Sequence, residues 1–210
     1  MNYSELKERF DALGNGYRTA DVDRLNRQLI REVADVSFLK DIVLNEQKYH
    51  RTYFQVSLGQ MKTLREKLDF IEDNFYNLND WWHVDQLTQF ISENIDFDLC
   101  YQKAAEYVKH PHAFARRWGY VIFMPSLVKG DYFEDIIKLF REDDEYYVVM
   151  AEAWLISYLG MYHTDKTYNW LKTKPLKYNI VGKGIQKICD SYRVSNEDKE
   201  RFKALRELYK

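Results

Sequence analysis

The sequence predicts an all-α protein in which pairs of helices stack into a solenoid with a concave face. Three observations support this fold class. The 210 residues include only 8 Gly and 3 Pro, too few for the many turns of an all-β fold. Apolar residues recur at helical spacing along nearly the whole chain, and no stretch shows sustained alternation. The longer predicted helices also begin at regular intervals.

The apolar pattern defines the predicted helices one by one. Leu6 and Phe10 share one face of the first helix, and Asp80 and Asp96 are each placed to cap a later one. In chain order, the predicted helices span residues 6–13, 22–33, 38–44, 49–64, 68–75, 81–91, 99–108, 111–123, 133–140, 146–162, 168–171, 176–192 and 197–208. The acidic run 142–145 is predicted to be a solvated turn.

The predicted helices alternate between two kinds at a nearly constant interval. Longer, more apolar helices begin near Tyr49, Trp82, Phe114, Tyr147 and Tyr178, with shorter, more polar helices between them. The intervals are 33, 32, 33 and 31 residues. A period of roughly 30–45 residues with two helices per repeat is typical of an α-solenoid. We therefore expect a single domain over residues 1–210.

Charge and cysteine content limit the expected partners. The formal net charge is −2, whereas nucleic-acid-binding domains are usually basic, so such binding needs a local basic surface. Cys100 and Cys189 lack metal-binding spacing, so we expect buried free thiols and no metal. No stretch is long and apolar enough for a membrane span, and the segment MNYSELKERF has no apolar signal core. We expect a cytoplasmic monomer without membrane contact.

Aromatic and charged residues cluster near the starts of the longer helices. Trp81 and Trp82 lie four and three residues before Asp85, so either ring shares a helix face with the carboxylate. Arg117 falls about one repeat later, and Trp154 about one repeat after that. Aromatic faces attract cations and arginine binds phosphate, so a cationic alkylated purine in DNA would suit the set. Alternatively, the rings belong to the core and an Arg–Asp pair is a structural salt bridge.

Three segments carry a family resemblance: WWHVDQLTQFI, HPHAFARRWGYVIF and YYVVMAEAWLISYLG. Their order and spacing resemble the AlkD-type DNA alkylation-repair proteins, from about residue 47 to the C-terminus. The resemblance implies a solenoid of HEAT-like helical pairs whose concave face binds double-stranded DNA. It also implies hydrolytic excision of cationic N3- and N7-alkylpurines by a DNA glycosylase that needs no metal and no organic cofactor.

The resemblance also implies roles for individual residues. Asp85 would be the catalytic residue, stabilising oxocarbenium charge on the deoxyribose and positioning a water molecule. Trp81 or Trp82, together with Trp154, would hold the lesion nucleotide with their ring faces. Arg117 would hold a backbone phosphate. Because a positively charged base is already a good leaving group, no strong general acid is required.

Further cations are candidates for contact with the DNA backbone. From residue 166 to residue 193 the charged side chains are almost all positive, although a solvated helix face is the commoner explanation of such a run. The candidate backbone contacts are Arg116, Lys129, Lys172, Lys174, Lys177 and Lys183.

The sequence departs from the family pattern at two places. The family motif W-W-D-x-V-D reads W-W-H-V-D here, so His83 stands at an acidic position. Residues 1–46 show no counterpart of the DNA-contacting N-terminal helix of active relatives, which indicates a divergent paralogue with a shortened N-terminal region. Two alternatives to an excising enzyme therefore stay open. One is an inactive HEAT-like paralogue that binds DNA weakly, and the other is a solenoid adaptor that binds a protein.

Overall fold

The computed structural model confirms the all-α fold class. It describes residues 1–92, 95–124 and 126–209, and these residues form α-helices and short 3₁₀-helices without any strand. The chain divides into two compact units, Met1–Ile95 and Asp96–Lys210. The expectation of one domain over the whole chain stays a prediction.

The first unit is built around its third helix. Its α-helices are α1 (Tyr3–Asp11), α2 (Thr19–Arg31), α3 (His50–Gln60), α4 (Leu64–Asp73), α5 (Trp81–Asp85) and α6 (Leu87–Ile91), with 3₁₀-helices at Ser37–Asp41, Gln47–Tyr49 and Phe75–Asn77. α3 packs against both α2 and α6. It is accordingly buried on most sides, with Tyr53, Phe54 and Leu58 all within the core.

The second unit pairs its helices in two layers. Its α-helices are α7 (Phe97–Tyr107), α8 (Ala113–Val121), α9 (Phe133–Ile136), α10 (Tyr146–Tyr162), α11 (Thr164–Lys172), α12 (Tyr178–Asp190) and α13 (Asn196–Glu207), with 3₁₀-helices at Leu127–Lys129 and Ile137–Leu139. α10 lies against α8 and α12, while α7 packs on α8 and α13 packs on α12. The neighbouring helices α8, α10 and α12 therefore form one layer of a HEAT-like arrangement.

The repeat starts predicted from the sequence agree with the observed helices. The longer helices were expected near residues 49, 82, 114, 147 and 178, and α3, α5, α8, α10 and α12 begin at His50, Trp81, Ala113, Tyr146 and Tyr178. The predicted caps also hold, since Asp80 accepts from the N–H of Trp81 and Asp96 from that of Leu99.

Several predicted helices are wrong in extent. In place of the helix predicted over residues 38–44, the structure has the short 3₁₀-helix Ser37–Asp41. The stretches 81–91 and 133–140 are each divided into two short helices. The stretch 49–64 ends at Gln60 because a capping box starts the next helix. There the hydroxyl of Thr63 accepts from the N–H of Glu66, whose carboxylate accepts from the N–H of Thr63. This local signal outweighs the continuous apolar pattern.

Both cysteines are free thiols, as expected, with Cys100 buried and Cys189 half-buried. Within residues 1–92, 95–124 and 126–209, no three His, Cys, Asp or Glu side chains are grouped as metal ligands. In the same part of the chain, no helix has the length and apolar character of a membrane span.

Candidate nucleic-acid interface

Helix α5 carries the tryptophan pair and the candidate catalytic carboxylate of the first unit. It starts where Oδ1 of Asp80 accepts a hydrogen bond from the N–H of Trp81 at 2.6 Å. Five residues later it ends at Asp85, a half-buried residue whose backbone carbonyl accepts from the hydroxyl of Thr88 at 3.1 Å. The i,i+4 spacing of Trp81 and Asp85 is thus helical in the structure, which puts both on one face.

The two tryptophans have different surroundings. Trp81 leaves 49% of its surface exposed. Trp82 is half-buried, and its ring packs at steep angles on two imidazoles, 5.3 Å from His50 and 4.1 Å from His83 between centroids. Trp82 also lines an open cleft of about 340 Å³ together with Tyr17 and other residues of the first unit. Trp81 is therefore the more accessible ring, and Trp82 the more firmly held.

The two imidazoles beside Trp82 form a stacked pair. The rings of His50 and His83 are nearly parallel, at 9°, with centroids 3.4 Å apart, and both residues are fully buried. Nε2 of His50 faces the carbonyl of Asn77 at 2.9 Å, and its Nδ1 faces the amide nitrogen of Gln86 at 3.0 Å. Nδ1 of His83 accepts from the N–H of Asn79 at 3.2 Å. These contacts suit two neutral rings that each carry their proton on Nε2.

Burial keeps both histidines neutral. Desolvation, followed by the neighbouring His83 charge, lowers the pKa of His50 to about 3. Desolvation also lowers the pKa of His83 to about 4, although Asp80 acts in the opposite direction. Sequence reasoning noticed His83 only as a departure from the motif and missed His50. A histidine that starts a helix 33 residues earlier has no local signal that marks it as a stacking partner.

A hydrogen-bond network connects this pair to helix α2. Nε and NH2 of Arg51 bind the carboxylate of Asp23 at 2.6 and 3.1 Å, and NH1 donates to Oε1 of Gln86 at 3.1 Å. The amide nitrogen of Gln86 is the group that faces His50. Both partners of the Arg51–Asp23 ion pair are largely buried, so the pair is a fixed part of the unit. This network holds α5 against α3.

In the second unit, Arg116 is held by an acidic partner. Its Nε and NH2 bind the carboxylate of Asp143 at 2.5 and 3.2 Å, and NH1 donates to two backbone carbonyls, at His110 and Pro111. The prediction that residues 142–145 form a solvated turn is therefore wrong for Asp143, which is largely buried in this ion pair. The partner charge comes from Arg116 on α8, 27 residues earlier, so no local sequence pattern reveals it.

The neighbouring arginine is buried. Arg117 is only 4% exposed, and its NH1 donates to the backbone carbonyl of Tyr147 at 2.7 Å. The ring of Tyr147 lies 5.5 Å from that of Phe114, so α8 and α10 meet through both contacts. The guanidinium of Arg117 thus has a fixed position at the start of α10.

Trp154 begins a line of aromatic rings along α10. It is half-buried, with its ring 6.0 Å from Tyr158, whose ring lies 6.3 Å from that of Tyr162. Two cations flank the far end of this line. NH1 of Arg193 donates to the hydroxyl of Tyr162 at 2.8 Å, and Nζ of Lys129 lies 5.6 Å from the Tyr162 ring. Sequence reasoning identified Lys129 and Trp154 but not the two tyrosines or Arg193 as their neighbours.

The other candidate lysines of this unit lie against tyrosines or acidic groups. Lys172, Lys174 and Lys183 lie 5.7, 5.8 and 5.9 Å from the rings of Tyr168, Tyr209 and Tyr146, and Nζ of Lys177 lies 3.8 Å from Asp144. Lys174 also donates to the carbonyl of Leu208 at 2.5 Å. Each of these four lysines therefore has a different ring or carboxylate as its neighbour.

A buried carboxylate on α10 was missed by sequence reasoning. Oε1 of Glu152 accepts from the hydroxyl of Tyr120 and from the N–H groups of Arg141 and Glu142, at 3.0 to 3.1 Å. Its Oε2 is buried and has no hydrogen-bond partner among the described residues. Burial raises the pKa of Glu152. The side chain anchors the segment that presents Asp143 to Arg116.

Comparison with known proteins places the chain in a family. A sequence model of the family described as DNA alkylation repair enzyme matches residues 6–188. The protein therefore belongs to the DNA alkylation repair enzyme family, which confirms the resemblance of its three segments. The match starts at residue 6, well before residue 47, where the resemblance of the three segments was expected to begin. No curated protein and no solved structure matches the chain.

Proposed function

We propose that this protein binds double-stranded DNA and hydrolyses the N-glycosidic bond of cationic N3- and N7-alkylpurines. Membership of the DNA alkylation repair family supports the DNA partner. The observation that carries the proposal is on α5, where the exposed ring of Trp81 precedes the half-buried Asp85 by one helical turn. A ring and a carboxylate on one helix face suit a nucleotide whose base is cationic.

The chemistry assigned to Asp85 requires no proton donor for the base. The alkylated purine leaves as a neutral base with the electron pair of the N-glycosidic bond, and positive charge develops on the deoxyribose. The carboxylate of Asp85 stabilises that charge and orients a water molecule. The water oxygen bonds to C1′, and its proton passes to the carboxylate or to solvent, which completes the hydrolysis.

The remaining candidates would bind rather than react. Trp81 would pack against the lesion nucleotide. Trp82, packed on two histidines, would stabilise α5, the helix that presents Trp81. Arg117 would bind a backbone phosphate with a guanidinium that Tyr147 already orients, and Trp154 would contact a sugar or base. An oriented guanidinium loses less entropy on binding than a free side chain.

A second candidate function is DNA binding without excision. The ion pair between Arg116 and Asp143 favours the weak DNA binding of this candidate, because the pair neutralises a cation that was predicted to contact the DNA backbone. Neutralised cations contribute little to DNA affinity, which depends on the release of counterions from phosphates. Such a protein would bind alkylated duplexes weakly and leave them intact.

Base release from a duplex that contains N7-methylguanine tests the two candidates. We expect release above the spontaneous rate by the native protein and at least about a 100-fold loss in Asp85→Asn, as for removal of a group that stabilises charge in the transition state. Asp80→Asn is the matched control, because asparagine also caps a helix and so α5 should persist. Binding without release by the native protein supports the second candidate. Equal release by Asp85→Asn contradicts the role of Asp85.

A further inference from the structure

The first unit contains a cavity that the proposed excision does not use. It has a volume of about 260 Å³ and is lined by ends and faces of α2, α3, α4 and α6. Its polar lining includes Gln55, Lys62, Lys67, Gln89 and Ser92. None of the described residues that line it is acidic. Two of the five polar residues are lysines, so the cavity is basic in a unit that is otherwise acidic.

Lys67 is an unusual lysine because it is buried and has no acidic partner among the described residues. Only 9% of its surface is exposed, and its Nζ donates to the backbone carbonyl of Phe90 at 3.0 Å. Within the described residues, no carboxylate lies within 4.0 Å of this ammonium group. An ammonium has three N–H donors, so the Phe90 carbonyl leaves two of them without a partner in the part of the chain that the structure describes. Burying such a charge without a counter-ion is costly.

The glutamines of the cavity present donors rather than acceptors. Oε1 of Gln89 accepts from NH2 of Arg51 at 3.1 Å, and Oε1 of Gln55 accepts from the amide of Asn26 at 2.7 Å. Because both oxygens already accept hydrogen bonds, the NH₂ groups remain as the available polar groups of these side chains. Two ammonium groups and two amide groups therefore offer hydrogen-bond donors around one cavity.

We propose that this cavity binds a phosphate group. Its oxygens would accept from the buried Lys67 and from Gln89 and Lys62, which are both exposed. The bound anion would supply a negative charge beside the buried ammonium group of Lys67. The phosphate belongs either to a small free phosphate compound or to a nucleic-acid backbone, since both present the same oxygens. This site is separate in its residues from Asp85 and does not depend on excision.

Calorimetric titration with inorganic phosphate tests the site. At constant ionic strength, with chloride as the control anion, we expect saturable binding of phosphate to the native chain. We expect Lys67→Met to weaken it at least about 10-fold, since a charge-assisted contact is lost. Lys62→Glu should weaken it as well and, being an exposed substitution, should leave the fold intact. Lys40→Glu, an exposed charge reversal in the same unit, should change nothing.

Two outcomes overturn the proposal. One is the absence of saturable phosphate binding by the native chain, and the other is unchanged binding in Lys67→Met and Lys62→Glu. Competition by an undamaged duplex then identifies the source of the phosphate: displacement assigns the site to a DNA backbone, and its absence assigns the site to a free phosphate compound. Asp85→Asn should bind phosphate normally, so this site can fail or succeed independently of base excision.

Discussion

At the scale of single residues, His50 and His83 show how a buried polar pair can be stable without charge. Their rings stack at 3.4 Å, and three of the four ring nitrogens have hydrogen-bond partners. A proton on either ring would place a cation in a desolvated site against a second imidazole. Because Trp82 packs on both rings, the neutral pair determines where that tryptophan lies.

We predict that the free energy of unfolding decreases when the pH is lowered from 7.5 to 5.5. In the unfolded chain both histidines bind protons near pH 6.5, whereas their folded pKa values are about 3 and about 4. At pH values between the folded and the unfolded pKa of each ring, the unfolded state binds more protons than the folded state, so acid favours unfolding. At pH 5.5 the loss is about 1.4 kcal/mol for each ring. Urea unfolding at the two pH values measures it.

The variant His83→Gln provides the control for this pH dependence. Glutamine is neutral at every pH and can still accept from the N–H of Asn79, so the part of the loss that comes from His83, about 1.4 kcal/mol, should disappear. If His83→Gln and the native protein lose the same free energy between pH 7.5 and 5.5, then the stacked pair is not its cause.

We predict opposite effects for the two tryptophan substitutions. Trp82→Ala removes a ring packed on two histidines and should lower the free energy of unfolding by about 2–4 kcal/mol. Trp81→Ala changes a half-exposed ring and should stay within about 0.5 kcal/mol of the native value, yet it should reduce base release. Urea unfolding and the N7-methylguanine assay measure these effects. An unchanged free energy of unfolding in Trp82→Ala would contradict the packing role of Trp82, and normal base release by Trp81→Ala would contradict the contact of Trp81 with the lesion.

At the scale of elements, α10 and α12 approach each other through two glycines. A Cβ atom on Gly184 would lie 2.7 Å from Cγ2 of Ile156, and one on Gly160 would overlap the side chain of Ile188. Each glycine therefore accepts a fully buried isoleucine from the facing helix. This reciprocal contact explains why two glycines occur inside helices, where they are otherwise unfavourable.

We predict that Gly184→Ala destabilises the protein by about 1–3 kcal/mol, because the new methyl group overpacks the contact between α10 and α12. Gly182→Ala is the matched control on the same helix. The atoms nearest to its methyl group would be those of the Tyr178 ring, which is 41% exposed and able to move. The control should be neutral or more stable by up to about 1 kcal/mol, from helix propensity. Thermal or urea unfolding distinguishes the two, and equal effects would contradict the close packing.

At the scale of the whole molecule, the net charge of −2 is divided unequally. The second unit, from Asp96 to the C-terminus, has 19 Lys and Arg residues against 17 Asp and Glu, whereas the first has 12 against 16. The slightly basic unit also contains the flanking cations of the aromatic line on α10. If the chain binds DNA, most of the favourable charge comes from this unit.

We predict that the double variant Lys183→Glu/Arg193→Glu binds a duplex about 10-fold more weakly at low salt, with a smaller dependence of affinity on salt concentration. The control Lys7→Glu/Lys40→Glu makes the same change of net charge with exposed lysines of the first unit and should have a smaller effect. Fluorescence anisotropy at several salt concentrations measures both. Equal losses would show that only the total charge matters.

Much of the fold was predictable because its causes are local. Apolar spacing and the aspartate caps at Asp80 and Asp96 act within one or two helical turns, and the observed helices begin where these signals lie. The lengths were less predictable, since a capping box at Thr63 or a break at Gln86 interrupts an apolar pattern that reads as continuous. The order of the three family segments likewise identified the family without the structure.

The sequence by itself determined the all-α class, the repeat starts and the family, because helix formation and motif order depend on residues close together in the chain. Only the tertiary structure decided which tryptophan is packed and which is accessible. It also decided that Arg116 is neutralised and that Lys67 lies buried with no acidic partner among residues 1–92, 95–124 and 126–209. Burial and pairing are set by residues 23 to 33 positions away, such as His50 for Trp82 and Asp143 for Arg116, and these contacts form only when the helices pack.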